Sequence, residues 1–134
     1  MIELRIIGRV SSPLRDPAVA PKQGEEGSPP AELVFDASVT GALADVRVGD
    51  KLLLLTWLDR ADRSTLRVHP RDDHTQPLRG VFSTRSADRP NPIGVHRVIV
   101  VSRPEPLRLQ VRNLEAVDGT PILDVKTTLE GVVE

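Results

Sequence analysis

The chain has 134 residues and a formal net charge of −1; that length is one domain's worth, which predicts a single domain over residues 1–134 and leaves no room for a second catalytic one. Near-neutrality argues against a general nucleic-acid binder, whose phosphate contacts demand surplus Lys and Arg, and the absence of cysteine excludes disulfides, thiolate catalysis and Cys-based zinc sites. No run approaches the roughly 20 apolar residues that cross a bilayer, and Met1-Ile2-Glu3-Leu4-Arg5 lacks the features of a signal peptide, so the expectation is a soluble, cytoplasmic protein.

Apolar residues make up 39% of the chain, with Trp57, Phe35 and Phe82 its only aromatics. An aliphatic core of this kind suits strands, since Val and Ile pack well on a pleated surface. Leu4 to Val10 reads as a first strand, closed by Ser11-Ser12-Pro13. From Pro13 to Pro30 the prolines at 13, 17, 21, 29 and 30 and the glycines at 24 and 27 forbid regular structure. A loop this long inside a small domain is a site candidate by length alone.

Ala31 to Ser38 reads as a strand with Leu33 and Phe35 on one side. Gly49-Asp50 leads into the apolar run Lys51 to Leu58, predicted to be a central strand because only about eight residues separate its flanking turns. Thr65 to Val68 predicts a short strand, followed by a polar connection with His69 and His74. After Gly80-Val81-Phe82-Ser83 comes the loop Thr84 to Gly94, then a strand from Val95 to Ser102 punctuated by Pro104 and Pro106. Leu107 to Arg112 alternates apolar with Arg or Gln and is the clearest half-exposed strand. The turn Val117 to Pro121 precedes a last strand, Ile122 to Lys126. Short strands without a helical period predict an all-β domain, an antiparallel barrel or sandwich, with closure hiding the edges.

Charge is unevenly distributed. Between residues 60 and 97 stand Arg60, Arg63, Arg67, Arg71, Arg79, Arg85, Arg89 and Arg97 against Asp62, Asp72, Asp73 and Asp88, so a local basic face is compatible with the neutral total.

Gly80 to Gly94 reads Gly-Val-Phe-Ser-Thr-Arg-Ser-Ala-Asp-Arg-Pro-Asn-Pro-Ile-Gly, which closely resembles the central signature of the TrmO/TsaA-like family, Gly-Val-Phe-Ala-Thr-Arg-Ser-x-x-Arg-Pro-Asn-Pro-Ile-Gly. Pro21-Lys22-Gln23 is similar to the family's Pro-Arg-Gln, and Asp118 to Lys126 to its Asp-Gly-Thr-Pro-Val-Leu-Asp-Ile-Lys. The resemblance implies a single β-barrel of the class VIII methyltransferases that uses S-adenosylmethionine as methyl donor. It further implies a homodimer completing each donor pocket near the subunit interface, and tRNA as partner, methylated on the exocyclic nitrogen of threonylcarbamoyl adenosine.

By the same resemblance the donor is held by Pro21, Lys22 and Gln23, by Asp59 and Arg60, by Arg85 and Val95, and by Asp118, Gly119, Thr120 and Pro121. Lys22 keeps the charge of the family's Arg but not its bidentate fork. Arg89 and Asn91 are the residues expected at the acceptor and carry the catalytic assignment. The residues themselves add a physical reason: Pro90 and Pro92 hold Arg89 and Asn91 in extended geometry with little entropy left to lose, while a guanidinium can grip a carboxylate or phosphate in a fork. Two departures stand out. The family's Phe-Trp-Phe-His becomes Thr56-Trp57-Leu58-Asp59-Arg60, and its Asp-Ile-Lys-Pro-Tyr becomes Asp124-Val125-Lys126-Thr127-Thr128.

Methyl transfer asks the protein to align a nucleophile and exclude water, which predicts a metal-free enzyme. A metal hydrolase built on His69, Asp72, Asp73 and His74 is the weaker alternative, because catalytic zinc wants three convergent ligands and this run is a polar loop. A non-enzymatic barrel that binds the donor or RNA is the stronger one, and product formation separates it from an enzyme.

Overall fold

A computed structural model describes residues 1–15 and 30–129. Its strands are β1 (Gly8–Ser11), β2 (Ala31–Phe35), β3 (Lys51–Trp57), β4 (Arg67–Val68), β5 (Arg79–Gly80), β6 (Ile93–Glu105), β7 (Arg108–Arg112) and β8 (Pro121–Thr127). Six of them close an antiparallel barrel in the order β1-β2-β7-β6-β3-β8, and β4 and β5 form a separate two-stranded ribbon. Of the two architectures open to short alternating strands, the barrel is the one formed. Pairing of Gly8 with Ile122 and Arg9 with Pro121 joins the first strand to the last and removes the edges an open sheet would expose.

The two-residue period sorts side chains between core and surface. Along β2, Ala31, Leu33 and Phe35 are buried with Glu32 and Val34 between them, and β6 buries Gly94, His96, Val98 and Val100 in alternation. Val10, Leu33, Leu54, Val98, Val100, Leu109, Val111 and Ile122 fill the interior, none more than 2% exposed. Each such side chain contributes about 1.5–3 kcal/mol of burial free energy. β3 lies between β6 and β8; in a closed ring its long apolar run is not central, and every second residue only half-buries on the outside.

Several boundaries differ from the sequence expectation. β1 begins at Gly8 rather than Leu4, because Gly8 is the first residue paired on both sides, to Phe35 and Ile122, and Leu4 and Ile6 stay exposed. A Cβ at position 8 would lie 2.6 Å from the Val34 carbonyl oxygen, so the close β1–β2 approach requires glycine. β6 starts at Ile93 and runs through Pro104 to Glu105, with register shifts between Val100 and Ser102 and between Ser102 and Glu105, irregularities that accommodate a residue lacking an N–H. The strand expected over Thr65–Val68 shrinks to Arg67–Val68 and pairs with β5 outside the barrel. Finally, the strand expected over Ala31–Ser38 stops at Phe35, and Ala37–Leu43 forms a 3-10 helix that buries only Val39 and Leu43, too short to show an amphipathic period.

Since each barrel strand is antiparallel to both neighbours, β1, β3 and β7 point one way and β2, β6 and β8 the other. The connections β1–β2, β3–β6 and β7–β8 therefore all lie at one end of the barrel. The opposite end carries the β2–β3 connection with its 3-10 helix and the tight β6–β7 turn.

Candidate functional site

The end with three connections is tied together by a small set of hydrogen bonds. The Ser12 N–H donates to Asp118 Oδ1 at 3.0 Å, and Arg15 Nη1 lies 3.4 Å from Asp118 Oδ2, so the residues leaving β1 meet the β7–β8 connection. Arg60 Nη1 donates to the Arg15 carbonyl at 2.7 Å, bringing in the start of the β3–β6 connection. Asp118 and Arg60, both expected at the donor, thus converge on Arg15, which carries no distinguishing sequence signal. The Asp118-Gly119 turn is set locally. Gly119 has φ of 83°, conformational space that favours glycine; its N–H donates to the Val10 carbonyl at 2.7 Å, and the Gly119 carbonyl accepts from Arg9 Nη1 at 3.0 Å. Thr120 Oγ1 donates to the Val117 carbonyl at 2.7 Å, and Thr120 and Pro121 are buried.

The loop before β6 uses its two arginines differently. Arg85 is exposed. Arg89 turns back on its own loop: Nε donates to the Ser86 carbonyl at 2.9 Å, and Nη2 donates to the carbonyls of Val81 at 2.5 Å and Thr84 at 2.7 Å. A guanidinium has five N–H donors, so part of its capacity remains. The loop tip is braced by Arg63, whose Nε donates to the Pro90 carbonyl at 2.8 Å and Nη2 to Asn91 Oδ1 at 3.1 Å. Its guanidinium carbon lies 5.1 Å from the Trp57 ring centroid, within cation–π range. The Asp62 N–H donates to Asp88 Oδ1 at 2.8 Å. Hydrogen bonds from the Ser64 hydroxyl and then the Ser64 N–H hold the Asp62 carboxyl below the ordinary carboxylate range.

Beneath this end the barrel interior turns polar. Thr56, fully buried at the end of β3, shares a 2.7 Å hydrogen bond with His96 Nε2. On the other side of the ring, His96 Nδ1 meets Glu115 Oε1 in the β7–β8 connection. Sequence reasoning missed His96 although a signal existed: it shares the inward parity of Val98 and Val100.

The outer face of β3 and β6 is apolar at its Ile93–Val95 end, with Lys51 and Arg97 farther along it. Leu55 pairs with Val95 and Trp57 with Ile93, and Ile93 and Val95 are 41% and 39% exposed. Val95 therefore lies on the barrel's outside wall, while Asp59 and Arg60 are exposed just past β3. Pro21, Lys22 and Gln23 lie outside the described residues.

Among the described residues, no three His, Cys, Asp or Glu side chains cluster as they would around a metal ion. The His69 and His74 rings are 4.4 Å apart, His69 Nδ1 meets the Gln76 carbonyl at 2.9 Å, and the Thr75 hydroxyl and N–H hold the Asp73 carboxyl low. That run is a self-bonded turn. Among the described residues no helix is long and apolar enough to cross a membrane.

The likeness to known proteins covers nearly the whole chain. The S-adenosyl-L-methionine-binding protein of Archaeoglobus fulgidus is 40% identical over 124 residues, spanning 92% of this chain and 86% of the relative. A probable S-adenosyl-L-methionine-binding protein of Methanothermobacter thermautotrophicus is 37% identical over 131 residues, spanning 98% and 93%. A second, probable S-adenosyl-L-methionine-binding protein of A. fulgidus, 38% identical over 126 residues, is much longer: the match takes in 94% of this chain and 34% of that protein. The crystal structure of TrmO superimposes with a TM-score of 0.75 at 25% identity over 100% of this chain and 59% of its own, so the chain spans a little over half of TrmO. The TrmO of Pseudomonas aeruginosa, at 24% identity and a TM-score of 0.78 over 100% of this chain and 60% of its own, shares the fold. A family model described as the tRNA-methyltransferase O N-terminal domain matches residues 9–132, and the chain belongs to that family.

Proposed function

We propose that this chain is an S-adenosylmethionine-dependent methyltransferase that works in the cytoplasm on tRNA, at the exocyclic nitrogen of threonylcarbamoyl adenosine. The observation that carries this reading is topological: the 84–94 loop and the 118–121 turn, far apart in sequence, leave the same end of the barrel, and the chain leaving β1 ahead of Pro21, Lys22 and Gln23 joins them there through Arg15.

The chemistry at that end fits the donor. An adenosyl sulfonium needs a cation for its carboxylate, acceptors for its ammonium and an apolar wall for adenine. Arg85 is exposed and makes no side-chain hydrogen bond among the described residues, Asp118 and the carbonyls around Gly119 and Thr120 supply acceptors, and Asp59 and Arg60 flank them. Leu55, Trp57 and Val95 offer the wall. When bound, the donor supplies an electrophilic methyl group. The chain's own part is to hold Arg85 and the 118–121 backbone in place and to keep the acceptor loop rigid. Arg89 braces that loop, and Asn91, whose Oδ1 is taken by Arg63, keeps its amide N–H groups free to donate to the acceptor base. Alignment and exclusion of water are the contributions such a transfer requires of a protein, with no metal involved.

The outer apolar patch of Leu55, Trp57, Ile93 and Val95 supports a homodimer. Val95 belongs both to that patch and to the residues expected at the donor, so two apposed subunits would complete each pocket. Calorimetric titration with S-adenosylmethionine, transfer of labelled methyl to bulk tRNA and mass spectrometry of the product nucleosides test the reading. No donor binding, or metal-dependent transfer abolished by chelation, would sink it. A second reading, a barrel that binds the donor without turnover, is favoured by the altered Trp57-Leu58-Asp59 segment, where the family carries further aromatics and a His. Tight donor binding with no methylated product in any RNA pool would select it.

A further inference from the structure

We propose that the buried chain Thr56–His96–Glu115 is a positioning device that fixes the β7–β8 connection, with Asp118, Gly119 and Thr120, against the strand ends bearing Trp57 and Gly94. The inference rests on the reading that the donor is held at this end of the barrel. Its three members come from three elements: the buried end of β3, the start of β6, and the connection after β7. They sit next to a mostly aliphatic interior, with Thr56 0% and His96 4% exposed and the Glu115 side chain 17% exposed. Leu54 and Val98 show what the neighbouring inward positions hold, and an aliphatic residue at position 96 would fill the barrel without burying polar atoms that must then be satisfied.

What the polar chain adds is a defined distance and direction. The imidazole is a flat spacer bonded at both nitrogens, so it holds the Thr56 hydroxyl and the Glu115 carboxylate in one arrangement, whereas aliphatic contacts tolerate sliding. Gly94 makes room for it: a Cβ there would overlap Thr56 Oγ1 and lie 2.7 Å from His96 Nε2. Glu115 is flanked by the buried Leu114, Ala116 and Val117, and the Val117 carbonyl accepts from both the N–H and the hydroxyl of Thr120. Fixing Glu115 therefore fixes the start of the turn that presents Asp118. Thr56 and Gly94, directly paired across β3 and β6, fix the roots of the Trp57 segment and the 84–94 loop.

The test reads local order without any ligand. Amide hydrogen exchange at Gly119 and Thr120 should quicken roughly tenfold in Thr56→Val, the size of one buried hydrogen bond lost, and should return to near the wild-type rate in Thr56→Ser, which keeps the hydroxyl. Leu43→Ala, at the other end of the barrel, serves as a control for general destabilisation and should leave the ratio of exchange at these amides to that of the core strands unchanged. Glu115→Leu, at a partly exposed position, repeats the test if Thr56→Val does not fold. Donor affinity should fall about fivefold in Thr56→Val and recover in Thr56→Ser. Exchange at Gly119 and Thr120 that is unchanged in Thr56→Val, or an equal rise in its ratio to core-strand exchange in Leu43→Ala, overturns the positioning role. A wild-type protein that binds no donor defeats the functional reading instead, while the exchange measurement still decides this one.

Discussion

Arg103 and Arg89 apply the same chemistry at opposite ends of the barrel. Arg103 Nη1 donates to the carbonyls of Leu43 at 2.7 Å and Val46 at 2.8 Å, and Nη2 to that of Pro106 at 3.1 Å, closing an end already plugged by Val39 and Leu43. Arg89 closes only its own loop, over an end whose interior is polar and whose surface leaves Arg85, Asp59 and Asn91 exposed. Where an apolar plug and a guanidinium act together, the connection is part of the core. Where guanidinium groups act without such a plug, the backbone is held and the surrounding polar groups stay available to a ligand.

The largest expected effect is at the closed end. Leu43→Ala should cost about 2–5 kcal/mol of stability, as a buried leucine truncated in a packed site does, and leave donor affinity unaltered; thermal melts and calorimetry read the two separately. A matching loss of donor binding would mean the ends are not independent. At the open end, Arg85→Ala should weaken donor binding by about 1.5–3 kcal/mol, the worth of a charge-assisted hydrogen bond, with the melting midpoint unmoved. A drop in midpoint instead would place Arg85 among the structural arginines.

Arg89→Ala and Arg103→Ala form a matched pair, since each removes guanidinium hydrogen bonds from three carbonyls. Both should cost about 1–2 kcal/mol, but only Arg89→Ala should also weaken donor and RNA binding, and it should flatten the salt dependence of RNA binding if its remaining N–H groups grip a phosphate. Equal ligand effects in the two variants would erase the distinction between ends. The smallest effect is acid sensitivity. Asp62 has its folded value lowered by its bonds from Ser64, so its contribution is present above the ordinary carboxylate value of about 4 and is lost as pH falls through the lowered folded one. Amides near Ser64 should loosen below about pH 4 before those of Leu43, and Asp62→Asn should abolish the difference.

Much of this was legible in the chain itself, because it depends on local rules. The parity of Leu33 and Phe35, the alternation from Arg108 to Arg112, the Asp118-Gly119 turn and the proline-stiffened loop around Arg89 each follow from strand period or fixed φ within a few residues. The Gly80 to Gly94 motif also pointed to the family. Other features are set by through-space pairing between distant segments. Register decided that β1 starts at Gly8, that β4 leaves the barrel for a ribbon, and that His96 faces Thr56 forty residues away. Loop closure decided that Arg89 spends its donors on Val81, Thr84 and Ser86, while Arg63, unremarkable in sequence, comes to brace Pro90 and Asn91. Sequence determined which residues could bond; the closed ring of strands decided which partners came within reach, because a hydrogen bond needs its acceptor within about 3 Å and only the tertiary fold sets such distances between remote parts of a chain.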